Sequence, residues 1–237
     1  MFNTATDLYQ YFLDGIKKEY TGTVVTNVFA RLWNVAQAEW LASNVSQREG
    51  VDVTQKQMDD LAVLLRVHEI APASTNVFAL PDGLLTDVNG DPMDKYFRMT
   101  SLRVKINYGI GNDCGLTGES GWLKPYIMRS DLKAYAYESP YREPKEDMVY
   151  YKRIGNNYNV ILGDSSTSTA SSLQLEYFTY PLELSATGNV FSAFTGFQEH
   201  QLLEIINLCI RKYLERVRDQ RYGTTMNEQA INNINKI

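Results

Sequence analysis

Apolar residues recur at helical spacing through the first part of the chain and again near its end, while the middle alternates apolar and polar positions. Leu8, Phe12 and Ile16 share one face of a helix expected to begin near Thr6 and to stop at Gly22; Tyr9, Tyr11 and Lys17 occupy its other face. Over 24–45, Val28, Leu32 and Val35 form one stripe, and Phe29, Trp33, Ala36 and Trp40 form a second beside it. So broad a stripe predicts contact on two sides. A third helix is expected next. Thr54 and Gln57 have capping-box spacing, Val53 and Met58 can pair as a hydrophobic staple, and Met58, Leu61, Leu64 and Leu65 would face the core.

After Pro72 the helical period is lost, and Pro81-Asp82-Gly83 and Asn89-Gly90 mark turns. Leu102, Val104, Ile106 and Tyr108 alternate with polar residues, which predicts a half-buried strand with those four on one face. Residues 148–154 and 158–162 read as a hairpin around Gly155-Asn156. A Ser/Thr-rich loop is expected over 165–172, and a further strand over 173–180 ends at Pro181. Thr195 and Gln198 again have capping-box spacing, so a helix is expected from there to Tyr222, stopped by Gly223. Its core face would carry Leu202, Ile206, Cys209, Tyr213 and Val217. Residues 224–237 are Asn-rich and form a marginal helix alone, yet Ile231, Ile234 and Ile237 at spacing three could dock on a neighbour. The expected class is α+β. A helical part (1–93 with its connecting loop, completed by 186–223) would hold a mostly antiparallel β-rich insertion (94–185), followed by a docking tail (224–237).

At 237 residues the chain can bury a core without metal or disulfide. Its 44% hydrophobic and 22% charged residues exclude a disordered or fibrous class. The net charge of −5 argues against DNA as the main partner. Cys114 and Cys209, far apart, fit neither a disulfide framework nor a metal motif, and imply a reducing compartment. The first residues lack the basic and apolar regions of a secretion signal, no stretch suits a membrane span, and a soluble protein is expected. Tyrosine stands out: 16 Tyr against 9 Phe suit either a protein–protein surface or the lining of a sheet.

No familiar catalytic motif fits. The glycines from Gly109 to Gly121 imitate a nucleotide loop, but the spacing is off by one and Glu119 stands where a phosphate-binding lysine belongs, so a loop between strands is expected. Asp87, Asn89 and Asp91 imitate a calcium loop, with Pro92 in place of its glycine and Arg98 in place of its last carboxylate; a hairpin turn accounts for them. His68 and His200 are each expected alone on a helix. The reading is therefore of a protein with no catalytic residues, cofactor or metal. The basic residues Arg211, Lys212, Arg216, Arg218 and Arg221, balanced by Glu204, Glu215 and Asp219, are expected mainly as intrahelical pairs. Their functional alternative is a partner-binding strip of Arg216, Arg218, Arg221 and Tyr222, extended by Ile231, Ile234 and Ile237.

Several phrases carry a resemblance. They are Ser139-Pro140-Tyr141-Arg142-Glu143-Pro144, Tyr150-Tyr151, Asn159-Val160-Ile161-Leu162, Tyr177-Phe178-Thr179-Tyr180-Pro181, the run from Glu199 to Ile206, Tyr213-Leu214-Glu215 and Arg221-Tyr222. Together they are similar to head-to-tail connector proteins of tailed bacteriophages, most of all the ring proteins of crAss-like podoviruses, over roughly residues 90–230. The resemblance implies a structural virion protein, assembled in the bacterial cytoplasm. It would be a subunit of a closed, twelve-fold ring that binds its own copies, the portal protein and neighbouring connector or tail rings, close to packaged DNA and away from membranes. The competing readings are another virion role (tail tube, stopper or head decoration) and an enzyme using the loop from Gly109 to Gly121.

Overall fold

A computed structural model describes residues 2, 4–17, 24–44, 59, 61–109, 117–128, 144, 148–163, 167–188 and 190–234, the last stretch by its backbone alone from 219 onward. The fold is α+β with a β-rich part. The chain divides into two compact units: Met1–Gln47 with Pro181–Ile237, and Arg48–Tyr180 inserted between them. Among the described residues no helix is long and apolar enough to cross a membrane.

In the first unit, α1 (Ala5–Lys17) starts from a reciprocal cap. The Thr4 N–H donates to Asp7 Oδ2 (2.9 Å) and the Asp7 N–H to Thr4 Oγ1 (3.2 Å), satisfying two donors that a helix start leaves open. Leu8, Phe12 and Ile16 are buried, as their spacing requires. Helix α2 (Thr26–Asn44) buries Phe29, Trp33, Ala36 and Trp40, but Val35 of the other stripe is 53% exposed. Contact on two sides is made differently. Asn34 accepts the Leu184 N–H (2.8 Å) and donates to the Leu184 carbonyl (2.9 Å), while buried Gln37 accepts from Trp33 Nε1 and donates to the Leu182 carbonyl. Polar side chains, not the Val stripe, hold the segment that leads into the small hairpin labelled β9 (Ala186–Thr187) and β10 (Val190–Phe191) below.

The last helix, α3, spans Glu199–Ile234. Its cap lies three residues later than the sequence suggests: Gln198 donates its N–H to Gln201 Oε1 (3.0 Å), and Thr195 Oγ1 instead accepts the Leu182 N–H (2.7 Å). Leu202, Ile205, Ile206, Cys209 and Tyr213 are buried. Phe12 bridges Phe29 and Tyr213, and Trp40 meets Phe197 edge-on. A Cβ on Gly15 would sit 2.5 Å from Ile210 Cδ1, so α1 and α3 approach closely there and any larger residue would make the end of the Ile210 side chain move. The helix does not stop at Gly223. An interior glycine costs about 1 kcal/mol relative to alanine, and the good helix formers Met226, Glu228, Gln229 and Ala230 follow.

The second unit packs two four-stranded sheets on one core. The first has the order β1 (Leu65–Ile70), β8 (Ser168–Thr179), β3 (Tyr96–Tyr108), β4 (Gly118–Glu119); the second β2 (Val77–Ala79), β7 (Asn157–Ile161), β6 (Tyr150–Ile154), β5 (Tyr126–Ile127). Only β5–β6 is parallel among these ladders. Leu102, Val104, Ile106 and Tyr108 are buried on one face of β3, and β6 and β7 form the expected hairpin, with Gly155 at φ +58° in its turn. Two expectations are overturned. The third helix does not continue through Leu65: the described residue Asp59 is helical, but a 3-10 turn, Ala62–Leu64, follows and leads into β1, because Leu65 to Ile70 find ladder partners on β8; Val53, Thr54, Gln57 and Met58 lie outside the described residues. The Ser/Thr run from Ser168 to Ser172 is strand, paired with the far half of β3. Tyr96, Tyr151, Tyr158 and Tyr177 are core residues with ring contacts. Tyr158 shares a 3.0 Å hydroxyl bond with Tyr96, and Tyr177 donates to the Asp94 carbonyl.

Candidate functional site

The nucleotide-loop imitation ends in strand hydrogen bonds. The Gly109 N–H donates to the Thr167 carbonyl (2.6 Å), where an added Cβ would collide with that oxygen, and the Ser120 N–H donates to the Ile106 carbonyl (2.7 Å). Those amides are committed to the sheet rather than turned to an anion. The intervening residues 110–116, with Cys114, lie outside the described residues, as do Ser139 to Glu143. A shallow cleft of about 430 Å³ lies elsewhere, beside the start of α1 and β10, lined by Thr4, Ala5, Thr6, Phe191, Ser192 and Phe194.

Asp87, Asn89 and Asp91 form a turn. Asp87 Oδ1 accepts the backbone N–H groups of Asn89 and Asp91, both at 2.9 Å. His68 is on β1, not a helix, and its Nδ1 lies 3.3 Å from Asp87 Oδ2, with both side chains largely buried. Desolvation pushes the Asp87 carboxyl up, but bonds from Asp91, His68 and Asn89 outweigh it and hold the pKa below the ordinary 3.8. Among the described residues no cluster of three His, Cys, Asp or Glu could hold a metal. Burial pushes the Cys209 thiol far up, which makes it unreactive.

On α3 one cation pairs within its own helix and one pairs outside it. Arg211 pairs with Glu215 at 3.9 Å, but Lys212 pairs with Glu39 of α2, and Glu204 accepts from Trp40 Nε1. The bond from Lys212 lowers the Glu39 pKa. Arg216 and Arg218 are exposed. Helical geometry separates them by about 200° and groups Arg218 with Arg221 and Tyr222, at i, i+3 and i+4. Arg216 shares its line with Ile234, five turns on, and Ile231 lies one step away. The side chains of Arg221, Tyr222, Ile231 and Ile234, and all of Ile237, lie outside the described residues.

The feature that sequence reading missed is the contrast between the two outer sheet faces. On the first sheet the outer face carries Arg103, Gln174, Glu176 and Glu69, with one exposed apolar residue, Val67. Glu69 accepts from Ser172 and lies 3.8 Å from Lys105, which also stands over the Trp122 ring (4.6 Å). On the second sheet the ladder places three rows outward: Tyr126, Tyr150 and Ile161; Lys152, Asn159 and Val77; Ile154, Asn157 and Ala79. Tyr126 is 59% and Ile154 55% exposed, and the face holds one charge, Lys152. Chemically, such a face suits a protein partner: apolar and aromatic area with scattered amides. No protein-family model matches the chain, and no curated protein matches it.

Proposed function

We propose that the protein is a structural subunit of a tailed-phage particle, a closed ring in the head-to-tail connector between portal and tail, surrounding the DNA channel. The observation that carries this reading is the run from β8 to α3. The resemblance implies a strand ending in a Tyr-x-x-x-Pro phrase, then a loop, then a helix. Here β8 ends at Thr179 within Tyr177 to Pro181, and α3 opens with the Glu199 to Ile206 phrase. The outer face of the second sheet adds support, since a ring closes by fitting one surface of a subunit to a different surface of the next. Binding energy in such an assembly is spread over large interfaces, and the work is mechanical: joining head to tail and retaining packaged DNA.

Light scattering on the purified chain, alone and mixed with the portal protein of its own phage, tests the proposal. The expected result is a large discrete oligomer, or a complex formed with portal. A monomer indifferent to portal would overturn it.

A further inference from the structure

Strand β1 ends the order β1-β8-β3-β4, so the side of its backbone turned away from β8 has no strand beside it. An open strand edge is a template for pairing with another chain, and natural proteins cover or blunt it. The register with β8 is unbroken from Leu65 to Ile70, so alternate residues send their N–H and carbonyl to the same side. Glu69 marks the outward set, because its carbonyl accepts the Val88 N–H (2.9 Å) from beyond the sheet. Leu65 and Val67 belong to that set.

The edge is covered at both ends. At Leu65 the neighbouring chain serves: its N–H donates to the Ala62 carbonyl, and Arg66 donates to the Leu65 carbonyl (2.9 Å) while its Nε pairs with Asp94 (2.7 Å). At Glu69 the cover is a hairpin, residues 85–93, closed by bonds from the Met93 N–H to the Leu85 carbonyl and from the Asp87 N–H to the Asp91 carbonyl, both 2.9 Å. Its foot is anchored, with Met93 buried and Leu85 packed on the core. Its tip meets β1 at two points, the Val88 N–H on Glu69 and Asp87 Oδ2 at 3.3 Å from His68 Nδ1. Between the covers stands Val67, 53% exposed, and among the described residues no bond from outside the sheet reaches its N–H or carbonyl.

We propose that the 85–93 hairpin is a strap that keeps β1 from pairing with β1 of a second copy, and that its tip opens when the contacts with Glu69 and His68 are lost. With the tip lifted, two β1 edges match antiparallel about Val67, which sets Leu65 of one copy opposite Glu69 of the other. The strap is an inhibitory contact within the chain and stands apart from the ring reading: the association it prevents would come on top of any assembly the wild type forms.

Val88→Pro combined with His68→Leu removes both tip contacts and spares the hairpin. Gly90 donates its N–H to the Asp87 carbonyl (3.0 Å), so Val88 is the second residue of a four-residue turn, a position that favours proline. In light scattering the double variant should associate beyond the wild-type mass, at a concentration about tenfold or more below that at which the wild type does so. Adding Val67→Pro takes away an outward N–H without touching the β8 ladder, and should return the wild-type mass. A folded double variant whose mass matches the wild type at every concentration overturns the strap. Association that survives Val67→Pro runs through another surface and overturns the role of the edge. Should the double variant not fold, hydrogen exchange decides: the Val88 amide should be protected in the wild type and exchange about tenfold faster in His68→Leu. Unprotected exchange of Val88 in the wild type, or the same rate in both proteins, sinks the proposal.

Discussion

The two sheets of the inserted unit share one core but differ in the surface they turn outward, the first richer in charge and the second in aromatic and apolar area. Beneath both, Phe78, Tyr158, Leu173 and Leu175 are fully buried. Above the first sheet, Glu69 gathers Lys105 and Ser172, and Ser171 donates to Glu119 (2.8 Å), so these charged side chains are partnered within the chain, while Val67 is exposed. Above the second, Tyr126 and Tyr150 lie ring to ring at 5.9 Å, and Ile154 stands exposed. A folded monomer gains nothing from the second arrangement, because apolar area left in water is unrecovered stabilisation of about 25 cal/mol per Å². The charges of the first surface find partners in their own chain, and the second surface is the better suited to completion by a partner.

The largest effect should come from the core that both sheets share. Phe78→Ala should destabilise by about 3–5 kcal/mol, read as a lower urea midpoint, because it removes a fully buried ring and leaves a cavity. The comparison sharpens with a pair of outer-face variants. Ile154→Glu should change stability by about 0.5 kcal/mol or less yet abolish the oligomer in light scattering, whereas Arg103→Glu on the other sheet should leave the mass unchanged. Equal loss of assembly in both would erase the distinction between the faces. A smaller effect is expected from Lys105→Gln, less than about 1 kcal/mol by denaturation and smaller still in about 1 M salt, since its partner lies 3.8 Å away and both side chains are partly exposed. Last comes a change in slope. The Asp87 carboxyl is held below its ordinary 3.8, so its ionised form stabilises the fold above that pH, and the contribution is lost as pH falls through the lower folded value. Asp87→Asn should flatten the acid limb of the stability curve measured by thermal melts between about pH 2 and 4.

Much of this fold was legible because local period and burial agree. Leu8, Phe12 and Ile16 repeat at helical spacing and are buried; Leu102, Val104 and Ile106 alternate and are buried; Gly155 supplies the left-handed turn of the β6–β7 hairpin. Legibility failed where a distant partner decided the conformation. Leu61 and Leu64 keep a helical spacing and are buried, yet Leu65 enters a strand because β8 offers it a ladder; Ser168 to Ser172 look like a loop until β3 pairs with them. For the candidate surfaces the limits were geometric. Arg216 and Arg218 are neighbours in sequence and nearly opposite on the helix. The outer rows of the second sheet hold Val77, Tyr126 and Ile161, three residues from separate parts of the chain that only the sheet order brings to one face.

The inserted topology also sets an order of events during synthesis. Helices α1 and α2 leave the ribosome first, but Phe12, Phe29 and Trp40 wait for α3, which is translated only after the whole of Arg48–Tyr180. At about 5–20 residues per second that interval is roughly 7–27 s. The inserted unit can collapse in that time, while the aromatic face of the nascent helix pair stays uncovered, so the youngest chains are the ones most exposed to aggregation and to chaperone capture; pulse proteolysis of stalled ribosome-bound chains would report the cleavable helix pair directly.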